Sequence, residues 1–525
     1  GAEARIDFDA LRGQLENENA KPAQLALLGH IESGKKVVRD LAFVVRDLEL
    51  CEQLGRSLDE LGALDFATWS SLKPSGRIDL VVRDRSGISA KDNLAVVVQL
   101  VDVRSEAPML PKPAEHMTGE LHIENGELTF RDVRGQLANA TVHCANGRVR
   151  QLPKEDGRTE ISFEVHAKDF PVDDGLANLF SGPLQKAVRE RQLRGQADVD
   201  GLRLRFAIPT GDSKKPFETT LSGSIGLDGV DVLLGTSRDG IRVVNLHGLV
   251  TLSESSVTDQ GGQLIGTLGR GSLSLFGHSF EAVEAAFTAD AERLTVRTLK
   301  TRIHDGELGN ADPNLAALTY LLPAPNVPQG RLAADLAYEG IDVFALLSQT
   351  GWENPPYSGS ASGRATLRRL DGNNVVGAEA KGTLKIERAD LGKVPLFKAI
   401  YAQLPAADQP RFNQLDMTYR LTDQAIVFDQ LEIRSDILAA KGAGQLNLDG
   451  YLDVKMELDN LLGQSADPLV MPLIEYLAQN LVSFRLYGHL RDLRASTQLV
   501  GGSTPERPPV LPMPPARKKT NTPGY

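Results

Sequence analysis

Residues 446–458 read Leu-Asn-Leu-Asp-Gly-Tyr-Leu-Asp-Val-Lys-Met-Glu-Leu. Apolar and polar side chains alternate after Gly450, and a period of two places them on opposite faces of a β-strand. A two-residue turn at Asp449-Gly450 would set Leu446 opposite Asp453. A three-residue loop ending at Gly450 sets Leu446 opposite Leu452 and keeps one apolar face continuous. We therefore predict an antiparallel hairpin with Gly450 in the left-handed loop position.

The same alternation recurs along the chain, for example in 202–206 (LRLRF). A sheet of such strands has one apolar and one hydrated face, as antiparallel meanders do. We predict a mainly β fold: an elongated, curled antiparallel sheet built of meander repeats with short interspersed helices. The side chains predicted to line its apolar face are Ile78, Leu80, Val82, Leu202, Leu204, Phe206, Leu384, Ile386, Leu415, Met417, Leu446, Leu452, Val454, Met456 and Leu458.

Short helical patterns interrupt the strands at 48–64, 176–193, 314–322, 395–404 and 468–481. Several of them follow an aspartate and lead into a strand that begins near a glycine. The pairs are Asp47 with Gly76, Asp169 with Gly195, and Asp342 with Gly363. This arrangement indicates a degenerate repeat of a meander, a short helix and the next meander. The apolar segments 395–404 and 468–481 either cap an open sheet edge or contact a membrane or a partner.

Composition argues against several classes of protein. The net charge is −11 and no basic stripe is present, so we expect no nucleic-acid partner. No run of about 18 apolar residues occurs, which predicts no transmembrane helix, and residues 1–5 lack the features of a signal peptide. Cys51 and Cys144 either pair in an oxidising compartment or are two small buried residues.

No motif supports catalysis or metal binding. Residues 29–36 (GHIESGKK) have the spacing of a phosphate-binding loop, but Lys36 replaces the residue that would hold magnesium, and a strand pattern follows. In 359–363 (GSASG) the centre is Ala361 rather than the serine of a nucleophile elbow. The nine histidines lack metal-ligand spacing. We predict a non-enzymatic protein without metal or cofactor.

A family resemblance appears in the last third of the chain. It is carried by 357–367 (YSGSASGRATL), 382–386 (GTLKI), 394–400 (VPLFKAI), 416–420 (DMTYR), 426–429 (IVFD), 431–435 (LEIRS), 443–450 (AGQLNLDG) and 484–490 (FRLYGHL). These segments resemble the C-terminal region of AsmA-like proteins, relatives of the TamB and YhdP groups. The predicted domains are a repeating β-groove region at 1–354, an AsmA-like region at 355–500 and a proline-rich disordered tail at 501–525.

The resemblance implies a function in the bacterial envelope. AsmA-like proteins are anchored in the inner membrane and carry phospholipid towards the outer membrane in a β-groove. By this resemblance we expect phospholipid or another acyl lipid, bacterial membranes and envelope membrane proteins as partners, and a periplasmic location with an inner-membrane tether absent from residues 1–525. The alternative is a scaffold that pairs its sheet edge with outer-membrane proteins.

Overall fold

The structure is a computed structural model of the 525-residue chain. It describes residues 5–498 except 18–19, 33–36, 61–65, 85–93, 109, 125–126, 153–156, 181, 210–214, 236–239, 259–260, 325–328, 350–352, 354, 356, 390–412, 423–424, 436–438, 460–482 and 491. The tail 501–525 and the predicted helices 395–404 and 468–481 lie wholly outside these residues.

The described residues are mainly β-strand, as predicted, and the strands form antiparallel meanders with a few short helices. The strands are β1 (Arg5–Asn17), β2 (Ala20–Glu32), β3 (Val37–Glu49), β4 (Ser75–Asp84), β5 (Leu94–Ser105), β6 (Ala114–Glu124), β7 (Glu127–Leu137), β8 (Ala140–Gln151), β9 (Arg158–Val172), β10 (Arg194–Pro209), β11 (Glu218–Leu234), β12 (Ile241–Thr258), β13 (Gly261–Gly262), β14 (Leu264–Leu275), β15 (His278–Ala289), β16 (Arg293–Ile303), β17 (Gly306–Asn310), β18 (Leu318–Leu321), β19 (Arg331–Asp342), β20 (Ser360–Asp371), β21 (Asn374–Glu387), β22 (Gln414–Leu421), β23 (Ala425–Arg434), β24 (Ala439–Asn447), β25 (Tyr451–Asp459), β26 (Ser483–His489) and β27 (Asp492–Gln498).

The helices are short. They are α1 (Glu52–Glu60), α2 (Phe66–Leu72), a 3-10 helix (Asp174–Leu179), α3 (Gly182–Arg189) and α4 (Val343–Gln349). The predicted helical segments at 48–64 and 176–193 are confirmed, although the first begins later because β3 continues to Glu49. The predicted helix at 314–322 is wrong. Tyr320 instead pairs between Leu294 and Leu332 in a sheet, because long-range pairing decides the structure of so short an apolar run.

The chain forms two compact units, residues 1–388 with 419–424, and 389–418 with 425–525. In the first unit, strands that follow each other in sequence pair in antiparallel order; β13 is a two-residue branch of β12, and β17 and β18 both lie between β16 and β19. In the second unit, β23 to β27 also pair in order. The hairpin of β24 and β25 sets Leu446 opposite Leu452, and Gly450 has a φ of 89°. The predicted register is therefore confirmed.

A bulge interrupts β3 at Asp47, whose φ of 61° is left-handed. A bulge frees a backbone group from the ladder and bends the strand. The freed amide of Asp47 donates to the Asp79 carboxylate of β4 at 2.8 Å. Gly76, three residues before Asp79, has a φ of 113° and passes so close to β5 that a Cβ would lie 2.0 Å from the Asp102 carbonyl oxygen. Helices α1 and α2 lie between the bulge and the glycine.

This arrangement of bulge, helix, glycine and acceptor occurs three times among the described residues. The other two sets are Asp169, α3, Gly195 and Asp198, with a 3.0 Å amide bond, and Gly340, α4, Gly359 and Ser362, with a 3.1 Å bond. The predicted repeat is therefore present, but its third member was misaligned. The equivalent positions are Gly340 and Gly359 rather than Asp342 and Gly363, because these two glycines have the positive φ angles of 75° and 132° and the Gly340 amide makes the equivalent bond.

Candidate binding face

Apolar side chains of successive strands align in register across the first unit. Each strand from β3 to β9 contributes one residue to each of two neighbouring rows. The first row is Phe43, Val82, Val96, Ile123, Leu128, Val149 and Ile161. The second row is Val45, Leu80, Val98, Leu121, Phe130, Gly147 and Phe163. We call these two rows the apolar face.

Most side chains of the apolar face are only half-buried. Phe43 is 38% exposed, whereas Val45 is buried at 2%, and the other side chains lie between these two extremes. A close-packed interior would bury such residues completely. Ile78, Leu100 and Val103 form a buried cluster. Its half-buried apolar neighbours lie on β3, β5, β6 and β7 of the same sheet, apart from Leu50, which directly follows β3. The described part of the chain therefore leaves this stretch of the face partly uncovered.

The apolar rows continue into β10, where protein covers them. Ile161 pairs with Phe206 and Phe163 pairs with Leu204, and both β10 residues are buried. Leu179 and Phe180, which precede α3, pack against this cluster. Further along the unit, Leu346 and Leu347 of α4 pack on a second cluster. The helices thus cover the sheet at separate places.

The opposite face of β7 to β10 is charged. Arg203 of β10 contacts Glu164 of β9 at 3.1 Å, and Arg148 of β8 donates to Glu127 of β7 at 2.6 Å. The Arg148 guanidinium holds the pKa of Glu127 below its ordinary value. Glu160 lies between two arginines, with Arg205 at 2.7 Å and Arg150 at 2.9 Å. The predicted separation into an apolar and a hydrated face is present in these strands.

The predicted lining residues divide by burial. Those already buried by protein are Ile78, Leu202, Leu204, Phe206, Val454 and Met456. Those that are half-buried are Leu80, Val82, Leu384, Ile386, Leu415, Met417, Leu446 and Leu452. The side chain of Leu458, in β25, lies outside the described part of the structure. Buried side chains cannot meet a ligand unless protein moves. Of the half-buried ones, Leu80 and Val82 belong to the apolar face.

Sequence reasoning missed much of the half-buried face. Val96 and Val98 belong to an unbroken run with Val97, so alternation does not reveal which of them share a side. Pairing with Ile123 and Leu121 settles the assignment. The hairpin of β6 and β7 alternates apolar and polar residues in its own sequence. Its apolar residues could therefore have been included among the predicted lining residues.

Three other features of the sequence concern metal binding, cysteine chemistry and phosphate binding. The described residues contain no group of three or more metal-ligating side chains. Cys51 and Cys144 are both free thiols, and burial raises the pKa of Cys144 to about 11, which keeps it protonated and unreactive at neutral pH. Residues 29–32 end β2 and β3 begins at Val37, so strands flank the apparent phosphate-loop motif, whose residues 33–36 lie outside the described part.

No family model, curated protein or solved structure matches the chain. The resemblance to AsmA-like proteins therefore rests on the sequence segments quoted above. Within the described residues, no helix has the length and apolar character needed to cross a membrane.

Proposed function

We propose that the protein binds acyl lipid on the apolar face and carries it between membranes of a bacterial envelope, without catalysis. The observation that carries the proposal is the pair of in-register apolar rows that remain half-buried from β3 to β9. A one-sided apolar sheet needs a cover. An acyl chain is a suitable one, because it matches an apolar surface and makes no demand for hydrogen bonds.

The dimensions suit acyl chains. Neighbouring strands are about 4.8 Å apart, so the six spacings from β3 to β9 span roughly 29 Å. This is close to the roughly 30 Å hydrocarbon thickness of a bilayer, which two acyl chains fill end to end. Each buried methylene contributes about 0.8 kcal/mol. The favourable free energy of binding therefore grows with the length of acyl chain that the face covers.

The envelope location and phospholipid as the cargo are supported by the AsmA-like segments in 357–490. The charged opposite face supports the same proposal, because ion pairs such as Arg203 with Glu164 keep that side of the strands hydrated while the apolar side is occupied. Cargo and location together make a lipid carrier the best account of this sheet.

Val96 and Val97 provide a matched test. They are adjacent, identical and both half-buried, but they lie on opposite faces of β5. We expect Val96→Asn to reduce the phospholipid that copurifies with the protein by about five- to tenfold, because an amide replaces an apolar contact of roughly 1 kcal/mol or more. Val97→Asn should leave the lipid load unchanged.

The readout is native mass spectrometry of the full chain, with lipid extraction to identify the cargo. Circular dichroism and thermal denaturation of both variants check that they fold equally well. Equal lipid loads in the two valine variants would contradict the assignment of the face. A wild-type protein that carries no lipid and takes up none from vesicles would contradict the proposed function.

A sheet-edge scaffold is the second candidate. Within the second unit, β27 pairs with β26 and has no other strand partner among the described residues. An unpaired edge can accept a strand from another protein. A pull-down that recovers outer-membrane barrel proteins but no lipid would favour this function over lipid transport.

A further inference from the structure

The segment between β9 and β10 lies across the apolar side of the sheet. It runs from Asp173 to Leu193 and contains the 3-10 helix and α3, with residue 181 outside the described part. We call it the strap. Leu179 and Phe180 of the strap pack on the buried cluster formed by Leu204, Phe206 and their neighbours. At its end nearest β9, Leu176 packs on two further clusters of the same sheet.

The strap covers the direct continuation of the apolar face. Phe163 of β9 is half-buried, and its partner Leu204 of β10 is buried at 6% beneath the strap. Likewise, half-buried Ile161 pairs with Phe206, which is 1% exposed. The two apolar rows therefore do not end at β9. They pass under Leu179 and Phe180, whose side chains occupy the position that an acyl chain on the open stretch would reach next.

At the end of the strap the Leu233 amide of β11 donates to the Arg191 carbonyl at 2.9 Å, and the other polar ties of the strap to the rest of the unit are weak. Asp173 pairs with Lys112 at 2.6 Å, and both side chains are about one-third exposed. The Asn178 amide donates to the Leu110 carbonyl at 3.3 Å, and the Thr219 hydroxyl donates to the Leu179 carbonyl at 3.3 Å. Helices of six and eight residues are not stable without tertiary contacts. The conformation of the strap therefore depends on its contacts with the rest of the unit.

Arg191, at the end of the strap, has a buried side chain with few protein hydrogen-bond partners. Its side chain is only 9% exposed. Nε donates to the Ala187 carbonyl at 2.9 Å, but one terminal nitrogen, Nη1, is buried without a hydrogen-bond partner. A buried polar atom of this kind costs free energy that solvent would restore. Release of the strap would return this group to water.

From these contacts we infer that the strap is a displaceable cover, which leaves the apolar side of β10–β12 when an acyl ligand advances from the open stretch of β3–β9. The strap and the ligand compete for the same side chains around Leu204 and Phe206. The inference rests on the proposed lipid-binding function and adds to it a step that controls how much of the face a ligand can reach.

A cross-link tests the inference. A short bismaleimide joins two introduced cysteines, Lys112→Cys and Asp173→Cys. The full-length chain also carries Cys51→Ala and Cys144→Ala. The probe is cis-parinaric acid, whose fluorescence rises when its chain enters an apolar site. We expect the cross-linked protein to bind at least about fivefold less probe than the same protein before cross-linking. Each single-cysteine variant treated with the reagent controls for modification alone.

Loosening the strap should have the opposite effect. Lys112→Ala removes one exposed ion pair, so the probe should associate about 1.5- to fivefold faster. Lys186→Ala, which removes a charge from the exposed side of α3, is the matched control and should not change the rate. Hydrogen exchange of the strap should rise when wild-type protein binds the probe.

The outcomes separate the two proposals. Equal binding before and after cross-linking, with a parent protein that does bind the probe, would overturn the displaceable strap and leave lipid binding intact. A Lys112→Ala variant that associates no faster than Lys186→Ala would also count against the strap. A parent protein that binds no acyl probe or lipid at all would overturn the proposed function and, with it, the strap.

Discussion

Gly76→Ala is the substitution that tests most directly how the repeat is built. Gly76 lies at the start of β4 with a φ of 113°, a value that L-residues rarely adopt. An added Cβ would lie 2.0 Å from the Asp102 carbonyl oxygen and 3.0 Å from the Val103 Cα. Both are backbone atoms of β5, so no side-chain rotation can relieve the overlap.

Two costs add at this position. An unfavourable backbone conformation costs about 1–3 kcal/mol. The overlap forces β4 and β5 apart, and overpacking of this kind costs about another 1–3 kcal/mol. We therefore expect Gly76→Ala to destabilise the pairing of β4 with β5 by roughly 2–6 kcal/mol. Gly226→Ala is the matched control, because Gly226 is not left-handed and its Cβ would lie 3.7 Å from the nearest atom.

Hydrogen exchange measured by mass spectrometry is the suitable assay, because a chain with two compact units has no single free energy of unfolding. Peptides from β4 and β5 in Gly76→Ala should exchange about 30-fold faster or more, whereas Gly226→Ala should exchange at the wild-type rate or slightly slower. An insoluble Gly76→Ala beside a soluble Gly226→Ala would represent the upper end of the same effect. Unchanged exchange in β4 and β5 of Gly76→Ala would refute the reasoning.

Two further predictions concern polar groups that join neighbouring strands. Asp79→Ala removes the acceptor of the Asp47 amide and should destabilise the bulge by about 1–2 kcal/mol. Asp79→Asn keeps an acceptor and should destabilise the bulge less. The hydrogen-exchange rate of the Asp47 amide measures the difference between the two variants. Arg364 donates to Asp335 at 2.7 Å and lowers the pKa of that carboxyl. The pair therefore stabilises the fold at pH values above the ordinary aspartate pKa. This stabilisation is lost as the pH falls through the lowered pKa of Asp335. Thermal denaturation between neutral and acidic pH should therefore show a smaller acid-induced loss of stability in Arg364→Met than in wild type. An equal loss in both proteins would contradict the role of this pair.

The burial of a side chain decides whether a substitution there can test ligand binding. Val454 and Met456 alternate as regularly as any residues in the chain, yet they are 1% and 0% exposed. A charged substitution there would disrupt the second unit whether or not it binds lipid. Val96 is the better probe, because the described residues leave it half-buried while its neighbour Val97 reports the other face.

The sequence by itself determined the local geometry of this protein. A period of two defines strands without reference to any other segment, and the three-residue loop at Gly450 follows from keeping Leu446 and Leu452 on one face, as the hairpin of β24 and β25 confirms. Local pattern also predicted α1, the 3-10 helix and α3, but it did not predict α2 or α4. The predicted helix at 314–322 is wrong because a brief apolar run satisfies both periods.

Only the tertiary structure decided which apolar residues remain accessible. Leu80 and Leu204 have similar alternating neighbours in sequence, but Leu80 is half-buried while Leu204 lies under Leu179 and Phe180 of the strap. Burial depends on which distant segment packs over a side chain, and alternation along one strand carries no information about that contact. The same reason explains the third repeat, where the left-handed backbone of Gly340, its amide bond to Ser362 and the positive φ of Gly359, rather than an aspartate in the sequence, mark the equivalent positions.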